Sequence, residues 1–91
     1  MTKPKTLVEQ FQEENPILFE REITILDTTE KICELMQSQE ISDKDLATKM
    51  GVKEVDIINM LDGNGDLTFG AVLDMFAHLG YKVKIEIEKF Q

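Results

Sequence analysis

The stretch Ile41-Ser42-Asp43-Lys44-Asp45-Leu46-Ala47-Thr48-Lys49-Met50-Gly51-Val52-Lys53-Glu54-Val55-Asp56-Ile57-Ile58-Asn59-Met60-Leu61-Asp62-Gly63 decides the fold. Ser42, with an acid three residues on at Asp45, is an N-cap with negative charge in the first helical turn. Leu46, Ala47 and Met50 then make one apolar face before Gly51 stops the helix. From Lys53 a second segment carries Ile57, Met60 and Leu61 on one side and ends at Asp62-Gly63. Two short helices are therefore joined by a glycine turn, and Ala47 is small where the second must cross the first closely. This is helix-turn-helix spacing, over residues 42–62.

Working outward, Asn64-Gly65-Asp66 reads as a loop, and Thr68 caps a third helix over 68–79. Its apolar face is Val72, Leu73, Phe76, Ala77 and Leu79, closed by Gly80. Residues 81–88, Tyr-Lys-Val-Lys-Ile-Glu-Ile-Glu, alternate apolar and charged at a period of two, which predicts a half-buried β-strand. A lone strand leaves its backbone N–H and C=O groups unpaired, so it needs a neighbour, and a second copy of the chain supplies one. Tyr81, Val83, Ile85 and Ile87 are then the dimerisation residues. In an antiparallel homodimer the lysines at one end of the strand, Lys82 and Lys84, face the glutamates at the other, Glu86 and Glu88.

Toward the N-terminus, residues 1–5 are polar and contain a proline, a pattern of a frayed end. Leu7, Val8 and Phe11 fall at helical spacing from Thr6 through Glu14, and Asn15-Pro16 both interrupts that helix and starts the next. In 16–38 the apolar set Leu18, Phe19, Ile25, Leu26, Ile32, Cys33, Leu35 and Met36 favours one long amphipathic helix. The β-branched Ile23-Thr24-Ile25 and the capping-box form of Asp27-Thr28-Thr29-Glu30 set the alternative, two pieces or a short strand with a break near Asp27. The expectation is a single, mainly α domain over 1–91, with N-terminal helices in 6–40 and one C-terminal β-strand.

Residues 41–52, followed by Asp-Leu-Thr-Phe-Gly-Ala-Val-Leu-Asp-Met-Phe-Ala-His-Leu-Gly at 66–80, resemble the lambda-repressor-like Xre helix-turn-helix family. The resemblance covers about half of the chain. The closing Leu-Gly-Tyr and charged-apolar strand is similar to the small antitoxin-type regulators of that group. The resemblance implies a helix bundle that dimerises, places the second helix of the motif in the DNA major groove and represses transcription, as antitoxin or autorepressor of a small operon. Carried over by position, the reading helix is Lys53 to Asp62, with Lys53, Glu54, Val55, Asp56, Ile58 and Asn59 on or near its outer face. Asp43 stands where the family commonly has glutamine, and Lys53 where a Ser or Thr often caps the reading helix.

Charge bears on that implication. The chain has ten basic and eighteen acidic residues, a net charge of -8, so no basic composition draws it to nucleic acid or anionic lipid. Between residues 28 and 79 four lysines meet ten acids, a net -6. Lys44, Lys49 and Lys53 are the available phosphate anchors on double-stranded DNA, and Glu54 and Asp56 oppose them. Asn59 suits adenine, Glu54 suits a cytosine amino group, and Val55 and Ile58 suit a thymine methyl. Two apolar residues on an outer helix face suit a protein partner, a toxin or another regulator, equally well. The competing expectation is an acidic interaction module that keeps the scaffold and has lost DNA binding.

Other chemistry finds little support. One cysteine, Cys33, excludes an internal disulfide and a multi-cysteine zinc site, and its apolar surroundings predict a buried side chain in a reducing compartment. His78 stands alone as a histidine near a helix end, where a positive charge is favourable, and reads as a structural or surface residue. Asp62, Asn64 and Asp66 match the start of a calcium loop, but Leu67 replaces its glycine and Leu73 its closing glutamate. No Ser/His/Asp set, paired catalytic carboxylates, metal cluster or phosphate-cradling glycine loop is recognisable, so a non-enzymatic protein without cofactor or metal is expected. No apolar stretch approaches the ~18 residues of a membrane span, and no signal-peptide pattern follows Met1, which leads to a cytoplasmic expectation.

Overall fold

The computed structural model describes residues 4–63 and 67–90. Five helices account for the regular structure of these residues: α1 (Leu7–Glu14), α2 (Pro16–Ser38), α3 (Asp43–Met50), α4 (Glu54–Asp62) and α5 (Phe69–His78). The chain divides into two compact units, Met1–Glu30 and Lys31–Gln91.

In the first unit, the Thr6 hydroxyl accepts the Glu9 N–H and so caps α1. Asn15 ends that helix, its N–H donating to the Phe11 carbonyl, and Pro16 opens α2 where a missing N–H does no harm. The Phe11 and Phe19 rings meet across this joint in a tilted arrangement, with centroids 6.2 Å apart. α2 then runs unbroken through the residues that suggested a break. The Thr28 hydroxyl donates to the Thr24 carbonyl at 2.7 Å and that of Thr29 to Leu26 at 3.0 Å. Turned back onto the preceding turn, these hydroxyls join the helix instead of capping a new one.

The second unit holds the hydrophobic core. Ile32 and Met36 from the end of α2, Leu46 and Ala47 from α3, Ile57 from α4, and Met75 and Leu79 at the end of α5 are buried together. Leu35, Ile41, Met50, Met60, Leu61, Leu67 and Phe76 pack around them. α3 is the hub, in contact with both α4 and α5. Its two buried residues lie on one face, Leu46 and Ala47, with Met50 one turn on.

Three helix ends in this unit close in the same way. After α2 the Ile41 N–H donates to the Met36 carbonyl at 2.8 Å and the Glu40 N–H to Gln37. After α3 the Val52 N–H donates to Ala47, and after α5 the Tyr81 N–H donates to Phe76. Each such closure needs one left-handed residue, supplied here by Glu40 (φ 55°), Gly51 (φ 70°) and Gly80 (φ 92°).

Two expectations are corrected. Residues 81–90 carry no regular secondary structure, and no strand occurs among the described residues. A ladder needs a second backbone, and among the described residues none is paired with 81–88. Cys33 is half-buried rather than buried, because it borders the stripe of α2 whose centre is Ile32 and Met36. Asn64 and Asp66 lie outside the described residues. No described helix is long and apolar enough to cross a membrane.

Candidate nucleic-acid interface

α3 and α4 are joined by the three residues Gly51, Val52 and Lys53. The start of α3 is held by a complete capping box. The Ser42 hydroxyl accepts the Asp45 N–H at 3.1 Å and the Ser42 N–H donates to the Asp45 carboxylate at 3.0 Å. The Asp45 carboxyl is thereby held below the ordinary aspartate range, by the Ser42 N–H first and its hydroxyl next, with Lys49 and Lys44 adding a smaller pull. α4 begins without such help, since the Lys53 side chain caps nothing. It ends at Gly63, whose N–H donates to the Asn59 carbonyl.

The rotation of an α-helix fixes what α4 presents. Ile57 is fully buried, and Met60 and Leu61 lie beside it against the core. At about 100° per residue the opposite side is Val55, Asn59 and Asp62. All three are exposed, Val55 to 52 %. Glu54 and Asp56 are exposed as well. Ile58, expected on or near the outer face, is half-buried, because it stands only about 60° from Leu61 on the edge of the core stripe. Asp62 shares this side, since its spacing of three and seven residues from Asn59 and Val55 places it with them.

Lys44, Lys49 and Lys53 are all exposed, and none is ion-paired among the described residues. They do not form one patch on α3, where the five-residue step from Lys44 to Lys49 turns about 140° around the axis. Asp43 is half-buried at the helix start. The arrangement therefore offers one amide, one valine and a rim of carboxylates on α4, flanked by separated cations. His78 is exposed, with Nδ1 2.8 Å from the Asp74 carbonyl, an ordinary contact within its own helix. Among the described residues no three His, Cys, Asp or Glu side chains are grouped to hold a metal ion.

No family model, curated protein or solved structure matches this chain.

Proposed function

We propose that this chain is a helix-turn-helix transcriptional regulator that binds double-stranded DNA as a homodimer, the autorepressor or antitoxin of a small operon. The observation that carries this reading is the α3–α4 pair, closed by left-handed Gly51 over buried Ala47 and leaving Val55 and Asn59 exposed on α4. In this reading the two α4 helices of a dimer enter successive major grooves about one helical turn apart. Lys44, Lys49 and Lys53 hold phosphates, Asn59 reads a base and Val55 meets a thymine methyl. Repression is steric, and the residues that join the copies are Tyr81, Val83, Ile85 and Ile87. The setting is cytoplasmic.

A second reading has its own observation in the charge. Four lysines stand against ten acids over residues 28–79, Lys44 and Lys49 are turned apart, and α4 itself carries exposed Glu54, Asp56 and Asp62 and no lysine. That surface suits a basic protein partner better than phosphate. Selection from a pool of random duplexes at low salt decides between the two. Enrichment of a two-fold-symmetric site supports the regulator, and absence of binding at any sequence assigns α4 to a protein partner.

A further inference from the structure

The segment that follows α5 leaves the core from a fixed point. Leu79 is buried, its carbonyl accepts the Gln39 side-chain amide at 2.8 Å, and the Tyr81 N–H is bonded to the Phe76 carbonyl at 2.8 Å. Beyond it, Val83, Ile85 and Ile87 are exposed to 38, 65 and 92 %. Their period-two alternation with charged residues is that of a strand with one apolar face, and in the single chain that face is uncovered.

The order of charges states what covers it. We infer that residues 82–88 pair with the same residues of a second copy, antiparallel, with the two-fold axis at Ile85. This rests on the dimeric reading above and makes it specific. In that register Lys82 stands opposite Glu88 of the second copy and Lys84 opposite Glu86, so all four charged cross-strand pairs are of opposite sign. On the other face Val83 meets Ile87 and Ile85 meets Ile85. Every other arrangement is worse. Sliding by one pair puts Lys84 against Lys84 or Glu86 against Glu86 at the axis. Antiparallel registers that match odd with even positions mix apolar and charged side chains on one face. Parallel pairing in register sets like charge against like at all four positions. The sequence from Lys82 to Glu88 is thus self-complementary in both polarity and charge, which a segment meant for an unrelated partner has no reason to be.

The test uses the full chain with Cys33→Ser. Ile85→Cys in this background brings two thiols opposite each other at the axis, within the Cα separation a disulfide spans. It is expected to cross-link on mild oxidation. Val83→Cys and Ile87→Cys are expected not to cross-link alone, but to do so with each other when mixed. Lys84→Glu is expected to weaken the dimer about tenfold in sedimentation, and Lys84→Glu with Glu86→Lys to restore it. A monomer at high concentration overturns both the register and the dimer. A dimer in which Ile85→Cys cross-links no faster than Val83→Cys overturns the register and leaves the dimer standing. Neither readout involves DNA, so a failure of DNA binding is separately visible.

Discussion

Ser42 and Asp45 bond each other reciprocally across the first turn of α3, each backbone N–H donating to the other's side chain. Ser42→Ala removes one half of this box and is expected to cost about 1 kcal/mol, read as a lowered denaturation midpoint. The other half is sensitive to pH. Because the folded-state pKa of Asp45 lies below its unfolded value, its contribution is present above the unfolded value, about 3.9, and is lost as pH falls through the folded one. Asp45→Asn should therefore reduce the dependence of stability on pH below about 4 and leave the slope near neutrality unchanged. Equal acid slopes in both proteins would contradict the assignment.

Glu40 and Gly51 occupy equivalent left-handed positions after α2 and α3, and only one of them is a glycine. A side chain in that region is strained by its own backbone, whereas a Cβ added at Gly51 would meet nothing within 4 Å. The two substitutions should move in opposite directions. Gly51→Ala is expected to destabilise by about 1 kcal/mol, through φ alone. Glu40→Gly is expected to stabilise by about 0.5 kcal/mol, the relief of strain being partly offset by a freer unfolded chain. Thermal melts of the pair check this, and a loss of stability from Glu40→Gly would show that its side chain contributes more than its backbone costs.

These details mark where local sequence suffices. The caps at Ser42 and Thr68, the stop at Gly51 and the Asn15-Pro16 joint are chemical requirements of a few adjacent residues, and each is legible in the chain. The Thr28 and Thr29 hydroxyls are ambiguous by nature, since the groups that cap a helix can also bond back onto one. Glu40 gives no sign of its left-handed backbone, because glutamate is not a residue that marks one. On α4 the outward Val55 and Asn59 follow from spacing, while half-buried Ile58 depends on how wide the core stripe is. For residues 81–88 the alternation tells which side chains share a face. It does not place the backbone that would pair with them, and the single chain contains none among its described residues.

Adjacent Ile57 and Ile58 separate the core from the α4 surface. Ile57 is fully buried in the core, so Ile57→Ala is expected to cost about 2–5 kcal/mol, by leaving a cavity there or forcing its neighbours to collapse. Ile58→Ala should cost about 1 kcal/mol or less, and Val55→Ala, on the exposed side, should lie within about 0.5 kcal/mol of the parent. Chemical denaturation measures all three. Similar losses at positions 57 and 58 would mean that α4 is rotated relative to this description.

α1 has eight residues and buries none of them. A helix this short is below the ~12–15 residues needed for stability without packing, and its aromatic contact is a single tilted pair. Leu7 and Val8 are exposed to 85 and 63 %. Amide hydrogens of residues 10–14 are therefore expected to exchange within about tenfold of unfolded-chain rates, while those of Leu46 and Met75 approach the protection set by global unfolding. Comparable protection in α1 and α3 would contradict this description of α1.

Asn59 and Lys53 distinguish reading from anchoring if α4 binds DNA. An exposed amide at the middle of the helix can pair with one base edge, so Asn59→Ala should erase preference among sequences, at about 1–3 kcal/mol for the preferred site, and leave non-specific binding intact. Lys53→Ala removes one phosphate contact per copy. It should weaken binding to every sequence and flatten the salt dependence of the dimer by about 1.8 in logarithmic slope. Anisotropy titrations on selected and scrambled duplexes at two salt concentrations resolve both effects. If Asn59→Ala and Lys53→Ala lower affinity for the two duplexes equally, base reading by α4 is wrong. The acidic surround of Glu54, Asp56 and Asp62 is then the better guide to its partner.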